Sequence, residues 1–136
     1  MKKNKGFSLI ELLVVISIIG VLTTVLVMNF VGTRERARDS QKIQNLNSIK
    51  NALRMYYNDN QTYPLVRSDL QTNLVTGGYI ANLGDITGVG YTQVDTGNGF
   101  ILTVGLEVGA GDEDEKSQLN CGIGTTTYRT YAVCAK

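Results

Sequence analysis

The chain has no histidine and no tryptophan, and among its 136 residues there are only one proline and two cysteines. The lack of histidine removes the commonest general base and the commonest nitrogen ligand for a metal. The only proline, Pro64, leaves everything before it free of the strongest helix breaker. Net charge is also scarce: Lys+Arg 13 against Asp+Glu 12 gives +1. Without Lys2, Lys3 and Lys5 the balance turns slightly acidic, so composition does not mark a dedicated nucleic-acid binder. No nucleophile–base pair, metal motif or phosphate loop is visible, which excludes the usual enzyme signatures. Cys121 and Cys134 both lie near the C-terminus, which fits one disulfide in an oxidising compartment. Two cysteines without histidine make a poor zinc site.

What is present begins with a long apolar run. Residues 7–30 contain one charged side chain, Glu11. As a helix this run spans about 36 Å, enough for a bilayer core of roughly 30 Å. A carboxylate inside such a segment costs about 2.5 kcal/mol or more at the membrane centre, so Glu11 is expected to have a task. Ahead of the run stands a short basic head, residues 1–6. It has the look of a targeting leader, but no small-residue cleavage site follows the apolar stretch, so that stretch is expected to stay attached as an anchor. Lys2, Lys3 and Lys5 place the N-terminus in the cytoplasm by the positive-inside rule. Arg34, Arg36 and Arg38 on the far side oppose this orientation, and the leader decides it.

The sequence Lys5-Gly6-Phe7-Ser8-Leu9-Ile10-Glu11-Leu12-Leu13-Val14-Val15 resembles the N-terminus of type IV prepilins and type II secretion pseudopilins. A short basic leader, Gly then Phe, and Glu at the fifth position after the Gly carry the resemblance. It implies that prepilin peptidase cuts between Gly6 and Phe7 and methylates the new Phe7 amine. Glu11 would then pair with the Phe7 ammonium of a neighbouring copy in a helical filament. The physics agrees: two charges that are each costly in apolar surroundings offset one another, and such a pair forms in only one axial register. Many type IV pilins carry a proline in the apolar helix at about the depth of Met28. This chain has none, and Gly20 and Gly32 are its weak points, each costing about 1 kcal/mol relative to Ala.

The helix is expected to continue to about Asn60. Ile43, Leu46, Ile49 or Lys50, Leu53 and Tyr56 or Tyr57 recur every three or four residues, opposite a polar face. The charged cluster from Arg34 to Asp39 reads as a solvated helical face, with a nucleic-acid patch as the alternative. Asn58 to Pro64 ends the helix. Ser68 is the expected cap of a short helix in the connector that follows, and Gly77-Gly78 a turn. Tyr91 to Asp95 and Phe100 to Glu107 read as strands joined by a hairpin at Thr96-Gly97-Asn98-Gly99, with a third strand from Tyr128 to Val133. The acidic run Asp112, Glu113, Asp114, Glu115 allows a calcium site; a solvated loop tip is the plainer reading. A Cys121–Cys134 disulfide would close the intervening loop and stabilise by ~3 kcal/mol. A C-terminal cysteine pair of this kind resembles the disulfide-bounded region of many type IV pilins, which major pseudopilins usually lack.

The expected architecture is therefore α+β: a long N-terminal helix, membrane-spanning in its first half, packed by its second half on a small antiparallel sheet, a lollipop-shaped subunit. Its parts are a leader (1–6), a transmembrane and assembly helix (7–30), an amphipathic continuation (31–60) and a C-terminal β domain (61–136). By the resemblance it is a structural filament subunit rather than an enzyme, held in the inner membrane before assembly and extracellular afterwards. Its partners would be copies of itself, prepilin peptidase, an inner-membrane assembly platform and the bilayer. A type II secretion pseudopilin, or a minor or tip pilin binding DNA or a surface ligand, is the alternative.

Overall fold

A computed structural model describes residues 7–124 and 129–135, apart from the side chains of residues 25–31. The leader with Gly6 and the expected strand start at Tyr128 lie outside the described residues. The chain divides into two compact units, Met1–Arg34 and Glu35–Lys136. One helix, α1 (Leu9–Asn60, 52 residues), supplies the first unit and opens the second.

In the first unit every described side chain from 7 to 24 is exposed. The helix there is rich in Val and Ile, which are not strong helix formers. Its regularity follows from the absence of proline, so that no backbone N–H is missing from the helical ladder. Three hydroxyls of this segment bond back to carbonyls of the helix itself. Ser17 Oγ donates to the Leu13 carbonyl at 2.8 Å, Thr23 Oγ1 to that of Ile19 at 2.7 Å, and Thr24 Oγ1 to that of Val21 at 2.7 Å. Among the described residues no helix is long and apolar enough to cross a membrane; the described side chains of the apolar run stop at Thr24.

In the second unit Leu46, Ile49, Ala52 and Leu53 are buried along one stripe of α1. The stripe packs with Phe100, Leu102 and Val104 of the sheet and with Leu70, Leu74 and Leu83 of the connector. The helix ends at Asn60, and Gln61 takes φ 55° as the chain turns away. Tyr63 then stacks on Tyr57 at 4.6 Å between ring centroids and meets Phe100 edge-on at 4.7 Å.

The sheet is β1 (Val89–Val94), β2 (Gly99–Gly105) and β3 (Thr130–Ala135), antiparallel throughout, in the order β1-β2-β3. β2 is the central strand, and its alternate residues Phe100, Leu102 and Val104 are buried on the face that packs on the helix. The first strand begins two residues earlier than expected, and Asp95 belongs to the turn. That turn is a 3-10 segment, Asp95–Gly97, with positive φ at all three residues. The Gly97 carbonyl accepts from Tyr63 N–H at 2.9 Å, which pins the turn to the chain leaving the helix.

Three expectations need correction. The expected short helix of the connector is present as a π-helical turn, Gln71–Thr76, but Ser68 makes no capping bond to it: its hydroxyl goes to the Asp69 carboxylate at 3.2 Å. The acidic run is not a loop tip but the first turn of a second helix, α2 (Asp112–Asn120). Four carboxylates at a helix N-terminus complement its dipole, a signal that was legible in the sequence. Finally, the Arg34–Asp39 cluster is not solvated throughout, because Asp39 is buried at 4% exposure.

Candidate assembly site

Phe7 stands just before α1 and is 81% exposed. Ser8 takes the N-cap position, and its backbone N–H donates to Glu11 Oε2 at 3.2 Å. The spacing Ser8-Leu9-Ile10-Glu11 is that of a capping box, and the observed bond is the half in which the acidic side chain reaches back to the cap. Glu11 is thus exposed and held near the helix's positive end. Among the described residues no cation pairs with it. Leu9, Ile10, Leu12, Leu13, Ile16, Ile18, Ile19, Val21 and Leu22 are all more than half exposed around it. An apolar helix exposed on every side has its partners outside its own chain.

In the second unit, the polar counterpart is at Asp39. Its Oδ1 accepts from Glu107 N–H at 2.7 Å, and its Oδ2 accepts from Val108 N–H at 2.8 Å and Gly109 N–H at 3.2 Å. Burial pushes the Asp39 carboxyl up, but the three N–H donors and the Lys42 ammonium outweigh it and hold the pKa below its ordinary value. Lys42 Nζ lies 3.9 Å from Asp39 Oδ1 and 3.3 Å from Glu107 Oε1. Arg38 reaches Glu107 Oε2 at 3.2 Å. Bonds to Arg38 and Lys42 lower the Glu107 pKa as well. Arg38 is therefore engaged within the unit.

The other predicted residues fall as follows. Asp112, Glu113 and Glu115 are exposed, whereas Asp114 is buried and its Oδ2 accepts from Ala110 N–H at 2.9 Å. Among the described residues no group of three metal-ligating side chains comes together. Cys121 and Cys134 form a disulfide with Cα atoms 5.6 Å apart. It joins the C-terminal end of α2 to β3 rather than closing a plain loop.

An exposed apolar helical segment with one carboxylate in its first turn, beside a small α+β unit, is the pattern of a subunit that assembles with other chains. A model of the prokaryotic N-terminal methylation motif matches residues 1–27. The type II secretion system core protein G of Escherichia coli K12 is 33% identical over 129 residues, covering 83% of this chain and 89% of the relative. That of Vibrio cholerae is 32% identical over 128 residues, covering 83% and 88%. The type IV wide pilus major component PilA4 of Thermus thermophilus is 44% identical over 63 residues, covering 46% and 48%. No solved structure matches. The chain belongs to the type IV pilin and type II secretion pseudopilin family.

Proposed function

We propose that the chain is a structural subunit of a type IV pilus-like filament. Prepilin peptidase cuts between Gly6 and Phe7, the Phe7 amine is methylated, and the subunit waits in the inner membrane with its N-terminus in the cytoplasm. It then packs against other copies through the apolar helix. The observation that supports this best is the full-circle exposure of the apolar helix around a single carboxylate, Glu11. Glu11 pairs with the Phe7 ammonium of a neighbour and fixes the stagger between copies. The role is structural rather than catalytic, in keeping with relatives named as pilus and secretion-system components. A second reading, a pseudopilin of a type II secretion system, is favoured by the relatives that cover most of the chain. The cysteine pair favours the pilin.

Glu11→Gln tests the reading. Gln enters apolar surroundings more easily than Glu, so insertion should persist, and cleavage after Gly6 should largely survive. The neighbour's ammonium then enters the filament core unpaired, at a cost of several kcal/mol. An immunoblot should show processed subunit accumulating while microscopy shows filaments lost or sharply reduced. Normal filament numbers would defeat the assignment of Glu11.

A further inference from the structure

The outer edge of β3 is not open. β3 is an edge strand, and α2 lies along it. Gln118 Nε2 donates to the Thr130 carbonyl at 2.7 Å, and Ala132 N–H donates to Ser117 Oγ at 3.1 Å. Cys134 is bonded to Cys121. The ties fall on residues 130, 132 and 134, every second position of the strand. α2 therefore takes up strand backbone groups that would otherwise invite another chain.

What holds α2 there is unusual. Its buried residues are Asp114 and Gln118, both polar, and its one large apolar side chain, Leu119, is 61% exposed. A helix of nine residues is shorter than the roughly 12 needed for even marginal stability alone. Hydrogen bonds of modest net worth do not make up that deficit, because water replaces them when they break. Among the described residues, the disulfide is the covalent tie between α2 and β3, and water cannot replace it. Cys121 is 3% exposed, but Cys134 is half-buried, and both line a groove of about 250 Å³ with Lys50, Ser117, Asn120 and Tyr131. An incoming thiolate reaches Cys134 through that groove, with the Lys50 ammonium favouring its charge.

We propose that α2 is a disulfide-latched guard over the β3 edge, and that reduction of Cys121–Cys134 frees this edge to pair with β3 of a second copy. The reductant is a dithiol. One of its thiolates attacks Cys134 Sγ, the Sγ–Sγ bond breaks, and Cys121 leaves as a thiolate and takes a proton. The second thiol then displaces Cys134 from the mixed disulfide, leaving two protein thiols and one oxidised dithiol. With α2 released, the Thr130 carbonyl and the Ala132 N–H face outward on alternate residues. Two such edges are self-complementary about a two-fold axis near Ala132.

Hydrogen exchange on the full chain in detergent micelles, with and without a dithiol, tests the latch. Reduction should raise exchange across residues 112–121 and at the Ala132 amide by at least about tenfold, while amides bonded between β1 and β2 stay protected. Unchanged protection of α2, or loss of all protection together, would overturn it. The pairing is read from particle mass. The double variant Cys121→Ser/Cys134→Ser should form dimers at concentrations where the oxidised chain does not. Adding Ala132→Pro, which removes the edge N–H, should return it to the oxidised chain's mass. A double variant that stays at that mass, or dimers indifferent to Ala132→Pro, would overturn the pairing.

Discussion

Asp39 Oδ1 lies 2.7 Å from the backbone nitrogen of Glu107, 68 residues further along the chain. The bond joins α1 to the segment that leaves β2 after Gly105. Once the strand ends, the N–H groups of Glu107, Val108 and Gly109 have no ladder partner. A carboxylate has acceptor sites for all three, and Asp39 supplies them from the helix.

Removing that carboxylate leaves the three donors without their acceptor. Asp39→Ala should destabilise the chain by roughly 1–3 kcal/mol in urea unfolding. The effect depends on pH in a defined direction. Asp39 and Glu107 both have lowered folded-state pKa values, so their contribution is complete above the unfolded carboxylate pKa. It is lost as pH falls through the folded values, from about pH 4 downward. Stability curves of wild type and Asp39→Ala should therefore converge on acidification, and parallel curves would contradict the assignment.

The Cys121–Cys134 crosslink restricts the unfolded chain. Cys134→Ser should lower stability by ~3 kcal/mol in the chain-entropy model. In the native, unreduced protein neither cysteine should react with a thiol label; ready modification of both would refute the pairing.

Tyr91 tests the join between sheet and connector. Its hydroxyl donates to the Pro64 carbonyl at 2.5 Å. Burial, reinforced by Tyr63 and Asp69, pushes its phenol pKa far above the ordinary value. A raised folded pKa contributes stability below the unfolded value, near 10, and that contribution fades as pH climbs toward the folded value. Tyr91→Phe should cost about 1 kcal/mol at neutral pH. The gap to wild type should narrow in alkali, as followed by circular dichroism.

Processing is predicted at one bond. Mass spectrometry of the assembled form should show a chain starting at methylated Phe7. Gly6→Val should leave the precursor in the membrane, because a branched side chain blocks a site shaped for glycine. A mature form retaining residues 1–6 would end the pilin reading.

Local pattern was enough for much of this protein. The apolar run with Glu11, the three-and-four spacing of Leu46, Ile49 and Leu53, and the alternation of Phe100, Leu102 and Val104 each report a periodicity fixed by backbone geometry. They determine the long helix, its buried stripe and the central strand. The Ser8–Glu11 cap was equally local and was legible as S-x-x-E. Only the tertiary structure decided the rest. Asp39 looks like its solvated neighbours because its partners are backbone N–H groups, which every residue but proline has and no sequence pattern marks. The acidic run reads as a loop because α2 has almost no apolar stripe; Gln118, Ser117 and a disulfide hold it to the edge of β3 instead. Hydrophobic burial writes its period into the chain, whereas a polar bond to a distant backbone leaves a single unremarkable side chain, and the fold alone shows what it meets.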